Sequence, residues 1–143
     1  NRKALGKVSE LARSSGARRV IELDVSGPFH SVYMQPAADG FRAIVEGTQV
    51  LSPSIPVVLN VNALPSIEPI EIKRELVVQV TSSVRWADSV KTMLEHGCTT
   101  FVELGPGQVL SGLVKRINKE AVVLNVEDEK SLESTAEKLL QFL

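Results

Sequence analysis

Short apolar runs alternate with longer amphipathic stretches along this chain, and few folds accept that order. Residues 100–104 form an apolar run of strand length, and Gly105-Pro106-Gly107 bends the backbone after it. Val109, Leu110, Leu113, Val114 and Ile117 then recur at helical spacing. Residues 121–126 form another apolar run, and residues 131–143 carry Leu132, Ala136, Leu139, Leu140 and Leu143 on one helical face. A strand that returns to its sheet through a helix lies parallel to its neighbour. The predicted class is therefore α/β, with helices layered on a mostly parallel sheet. In such sheets, sites gather in the loops that follow strand C-termini.

The earlier part of the chain repeats the pattern less regularly. Ala4, Leu5, Val8, Leu11 and Ala12 share one face of a helix predicted over 2–14, and residues 19–25 read as a strand. Ser26-Gly27-Pro28-Phe29-His30 is a bend, and a second helix over 35–48 begins near Pro36. Residues 57–61, bounded by prolines, predict a buried strand, and residues 62–69 an irregular loop. Residues 70–80 predict a helix. Thr81-Ser82-Ser83 offers an N-cap for the next one, whose stripe is Trp86, Val90, Met93 and Leu94 and whose natural stop is Gly97.

Composition excludes several classes of function. A net charge of −1 gives no global attraction for nucleic acid or an anionic membrane, and neither is expected as a partner. No apolar run approaches the ~20 residues needed to span a bilayer. The single cysteine, Cys98, forbids an internal disulfide and suits a reducing compartment. His30 and His96 stand alone, without the spacing that brings three or four zinc ligands together, so no metal site is expected.

Candidate chemistry concentrates at two turns. Gly105-Pro106-Gly107 follows a strand and opens a helix, where backbone N–H groups hold anions in other proteins. Its spacing is neither G-x-G-x-x-G nor a P-loop, and a plain tight turn accounts for it. Ser111 lies within the following helix, where its hydroxyl is not presented as an elbow nucleophile. Cys98 reads as a buried filler and His96 as a helix-end cap. His30, on the other turn, is either a loop histidine satisfied by backbone or a general base. A base needs a nucleophile, and the chain holds no G-x-S-x-G.

Three stretches taken together resemble a known family. They are Val25-Ser26-Gly27-Pro28-Phe29-His30-Ser31 with Met34, then Gln79-Val80-Thr81-Ser82-Ser83-Val84-Arg85-Trp86, then Glu103-Leu104-Gly105-Pro106-Gly107 running to Ile117. Their order and spacing resemble the C-terminal half of the malonyl-CoA:acyl carrier protein transacylases of fatty-acid synthesis. The resemblance implies transfer of a malonyl group from CoA to a carrier-protein phosphopantetheine thiol, through a serine ester. It assigns His30 as the catalytic base and Gln79, through its main-chain carbonyl, as the group that orients it. Phe29 and Met34 become substrate-binding residues of the acyl pocket, with Phe29 favouring malonyl over methylmalonyl. Malonyl-CoA is a substrate, and no bound cofactor is implied.

The implied fold is part of an α/β-hydrolase-like core plus the end of a ferredoxin-like subdomain. Residues 1–25 would close the small subdomain, and residues 26–143 would be the C-terminal part of the large core. In the family, the G-H-S-x-G serine, the oxyanion-hole segment and the arginine that pairs with the malonyl carboxylate precede the position of Asn1. The chain also begins with Asn rather than Met. Half an enzyme, inactive alone, is therefore expected. Its partners would be acyl carrier protein, malonyl-CoA and the N-terminal half of the same enzyme, in the cytoplasm or an organelle matrix or stroma. Carrier proteins of this kind are acidic, so Arg18, Arg19, Lys115 and Arg116 form a candidate docking patch. A polyketide-synthase-type acyltransferase domain and a non-catalytic α/β module that binds acyl carriers are the alternatives.

Overall fold

The computed structural model describes residues 2–22 and 25–141. Its elements, in order, are α1 (Arg2–Ser14), a 3₁₀ turn (Val32–Met34), α2 (Gln35–Gly47), β1 (Val57–Val58), β2 (Pro65–Ser66), α3 (Pro69–Val78), α4 (Trp86–Glu95), β3 (Thr100–Leu104), α5 (Val109–Ile117), β4 (Val122–Val126) and α6 (Glu129–Leu140). The architecture is α/β, and its sheet pairing is parallel where the sequence predicts it. β3 pairs with β4 from Thr100 opposite Val122 to Leu104 opposite Val126. The connection between them is α5, the crossover that parallel pairing requires.

Two buried clusters hold the chain. Ala38, Val45 and Val77 join α2 to α3, with Phe41, Leu76 and Val80 packed against them. Val90, Val114 and Ala121 join α4, α5 and the start of β4, flanked by Trp86, Met93, Leu94, Phe101, Ile117 and Val123. Every stripe residue predicted for α4 therefore faces this second cluster. By contrast, α1 buries none of its described side chains: Leu5, Val8 and Leu11 are each at least half exposed.

Several expectations are corrected. The strand predicted over 19–25 is absent: residues 19–22 and Val25 are irregular, and Leu23 and Asp24 lie outside the described residues. Apolar composition does not make a strand without a ladder to join, and none among the described residues takes this run. The strand over 57–61 ends at Val58, where the chain turns back. Leu59 N–H donates to Leu64 O and Ala63 N–H to Leu59 O, with Ala63 at φ 60°. Pro65 and Ser66, expected in a loop, then pair antiparallel with β1. α4 starts at Trp86, not after Thr81; Arg85 sits at its N-cap without a side-chain capping bond, its guanidinium pairing with Asp88 at 3.0 Å. Thr81 instead donates its hydroxyl to Val78 O and closes the end of α3. Gly97 follows α4 as predicted, at φ 88°.

α6 begins at Glu129, before the predicted residue 131, because Asp128 caps it. The Asp128 carboxylate accepts from Ser131 N–H, and the Ser131 hydroxyl lies 2.9 Å from Asp128 N–H, which donates to it. The Ser131 hydroxyl, 2.6 Å from Asp128 Oδ1, and the Ser131 N–H hold the Asp128 carboxyl below its ordinary range. Leu143, placed on the α6 stripe, lies outside the described residues.

Val90 is fully buried between α4 and α5. Val90→Ala should therefore cost about 2 kcal/mol of unfolding free energy. Leu132→Ala, at a site 54% exposed, should cost under about 0.5 kcal/mol. Urea titrations of the two variants against the parent check the difference.

Candidate active site

The C-terminal end of α3 builds the site. The last carbonyls of a helix have no intrahelical donor, so they must bond elsewhere. Just past the end of α3, the carbonyls of Gln79 and Val80 meet His30. Its backbone N–H donates to Val80 O at 3.1 Å, and its ring Nδ1 lies 2.8 Å from Gln79 O. A carbonyl only accepts, so Nδ1 carries the proton and the neutral ring has its lone pair at Nε2.

His30 holds this position in a left-handed backbone conformation, at φ 60°. For a residue with a Cβ that conformation costs about 1–2 kcal/mol. The two bonds to α3 return roughly that much, at ~0.5–1.5 kcal/mol each. Ser31 steadies the bend by donating its hydroxyl to Pro28 O at 2.6 Å. Non-glycine residues in this region are uncommon and concentrate at functional sites.

Four of the predicted site residues converge here. Phe29, His30, Met34 and Gln79 line one open pocket of about 430 Å³, together with Ala37, Phe41 and Val80. Its wall is apolar apart from His30 and Gln79. The four basic residues do not line it. Arg18 and Arg19 lie exposed in the irregular stretch after α1, and Lys115 and Arg116 lie exposed in the last turn of α5. The Lys115 ammonium donates to Lys119 O.

Two residues at this site are not singled out by the sequence. Asn60, read as part of a strand, donates from Nδ2 to Gln79 Oε1 at 2.6 Å. Glu75, one turn earlier on the same face of α3, is buried and accepts from Val61 N–H. The available signal is a polar residue inside an apolar run, which marks a place where side-chain bonding replaces a ladder.

The Gly105 turn is satisfied from within. Gly105 and Gly107 take φ 131° and 83°, which only glycine adopts freely. Asn125 donates to Gly107 O at 2.8 Å, and Glu127 accepts from Gly107 N–H at 2.9 Å. Glu103 accepts from the N–H groups of Leu110 and Ser111 and from the Ser111 hydroxyl. A carboxylate of the protein thus occupies the position an incoming anion would need, and Ser111 spends its proton on it. Cys98, expected to be buried, is exposed. His96 Nδ1 donates to Thr92 O at 2.7 Å, a helix-end role. Among the described residues no group of three or more His, Cys, Asp or Glu side chains gathers as a metal site would require. No described helix is long and apolar enough to cross a membrane.

Comparison with known proteins places this geometry in a family context. No family model matches the chain. The malonyl CoA-acyl carrier protein transacylase of Bacillus subtilis (strain 168) is 41% identical over 131 residues, 92% of this chain and 41% of that protein. The transacylase structure from Clostridium perfringens superposes with a TM-score of 0.88 at 40% identity, covering 97% of this chain and 43–44% of related ones, 44% in its own case. The chain is a homologue of malonyl CoA-acyl carrier protein transacylases. It spans about two-fifths of the length of these transacylases. A malonyl-transacylase in complex with a type II PKS acyl-carrier protein also superposes, with a TM-score of 0.88 at 35% identity, over 95% of this chain and 44% of that one. This chain thus has the α/β fold of the matching two-fifths of those transacylases.

The Glu103 bonds hold its carboxyl below the ordinary value of 4.5, the Ser111 hydroxyl contributing most. A depressed carboxylate stabilises the fold above its unfolded pKa, and that contribution fades as pH falls through the folded value. Glu103→Gln should therefore lower the urea midpoint near pH 7. The gap from the parent should narrow as pH drops below about 4.5. A gap constant from pH 7 to pH 3 would assign the effect to packing instead.

Proposed function

We propose that this chain supplies the general-base side of a malonyl-CoA:acyl carrier protein transacylase site. The observation that carries the reading is the 2.8 Å contact of His30 Nδ1 with Gln79 O, which leaves Nε2 free as an acceptor. In the reaction, Nε2 takes the proton of a serine hydroxyl as its oxygen attacks the malonyl thioester. The CoA thiolate leaves and takes the proton back. In the second half, the phosphopantetheine thiol gives its proton to Nε2 and attacks the ester, and the serine oxygen recovers the proton. Phe29 and Met34 wall the acyl group, and Gln79 holds the base. No bound cofactor enters this cycle.

No G-x-S-x-G occurs among these 143 residues, and the reading assigns the serine to further polypeptide. Apolar exposure supports a covering partner of that kind: Tyr33 is 80% exposed, Leu104 78% and Ile70 83%. The exposed α1 also supports the division into residues 1–25, the end of a small ferredoxin-like subdomain, and 26–143, part of the large acyltransferase core. The carrier protein is an acidic acyl carrier of fatty-acid synthesis, docked on Arg18, Arg19, Lys115 and Arg116. The single exposed Cys98 suits a reducing compartment such as the cytoplasm.

Two measurements test this reading in the natural polypeptide that carries the chain. His30→Ala should slow malonyl transfer by ~100-fold or more, the loss expected for a general base. A near-normal rate removes His30 from the chemistry. Replacing Arg18 and Lys115 by Glu should raise the KM for carrier protein while leaving the KM for malonyl-CoA unchanged. Equal shifts in both constants reject the docking patch.

A further inference from the structure

We propose that Asn60 is a positioning residue that sets the orientation of the His30 ring by clasping the Gln79 side chain. The proposal rests on the reading of His30 as the base. Gln79 follows the last residue of α3, where a helix frays most readily. Its carbonyl holds the His30 ring, so any fraying there turns the ring with it. Its side chain is tied down at 2.6 Å by Asn60 Nδ2.

Asn60 is itself fixed. Its carbonyl accepts from Arg85 N–H at 2.8 Å, at the entry to α4. The next residue, Val61, gives its N–H to the buried Glu75. Glu75 and Gln79 lie four residues apart, on one face of α3, so the segment at 60–61 grips that face at two successive turns. The chain of contacts therefore runs from α4, through Asn60 and Gln79, to His30. Asn60 does not line the pocket that holds His30. Its effect on the ring passes through Gln79.

The test follows the imidazole by nitrogen NMR in the natural polypeptide labelled with 15N-histidine. His96 serves as an internal reference, because its Nδ1–H donates to Thr92 O far from the clasp in sequence. In the parent, His30 should show the tautomer protonated at Nδ1. Asn60→Ala should move its ring signals toward the average of the two tautomers while those of His96 stay fixed. It should also lower the kcat of malonyl transfer by about 10- to 100-fold with little change in KM, as for a small misplacement of a reacting group.

Asn60→Asp should restore both, since Gln79 can turn its amide over and donate to the carboxylate. If His96 shows that Asn60→Ala has unfolded, Gln79→Ala breaks the same clasp from its other side while keeping the carbonyl. Movement of the His30 signals in the folded variant supports the clasp. Unmoved signals overturn it, whatever the rate of transfer. His30→Ala with undiminished transfer would overturn the base assignment alone and leave the clasp standing.

Discussion

Carbonyls just past the end of a helix must find donors elsewhere, and the His30 bend of this chain is built on that need. The end of α3 offers Gln79 O and Val80 O, and His30 meets both, one through its ring and one through its backbone. The same pair of bonds selects a tautomer and offsets a left-handed backbone. Neither would hold alone: a single bond of ~1 kcal/mol does not exceed the ~1–2 kcal/mol cost of the conformation. The site therefore depends on α2 and α3 staying packed, since Phe41 and Val80 belong to both the core cluster and the pocket wall.

The second half of the chain shows the complementary strategy. The parallel pair of β3 and β4 delivers its C-terminal ends to the Gly105 turn, where a sheet of this kind presents sites. Yet Glu103, Asn125 and Glu127 bond the turn from three sides. Glu103 and Glu127 consume the N–H groups that make similar turns bind anions, while Asn125 donates to Gly107 O. The turn orders α5 against the sheet; the proposed base lies at the other bend, where His30 keeps one nitrogen unspent.

The comparison with transacylases and the geometry of the His30 bend reinforce each other because they are independent. Identity over 92% of the chain speaks to ancestry, whereas the contact between Nδ1 and Gln79 O speaks to proton chemistry. The resemblance names Gln79 as the orienting residue. What it leaves out is the means by which Gln79 is itself held, and the contact from Asn60 provides one.

The order of elements was legible from residue patterns wherever the pattern was long. The stripes of α4 and α5 and the runs of β3 and β4 are set by period, and burial of their apolar faces enforces them. Short runs were not legible in the same way. Val20 and Ile21 are apolar but residues 19–22 remain irregular, and residues 57–61 stop being a strand at Val58, because a strand exists only where a partner supplies hydrogen bonds. The end of α3 shows the same limit at the site. Sequence determined that His30 sits on a bend and, through resemblance, that Gln79 matters to it. Only the tertiary structure decided that Asn60 and Val61 grip α3 through Gln79 and Glu75. Those contacts join residues 14 to 19 positions apart, and nothing local in a sequence records which distant polar groups will meet.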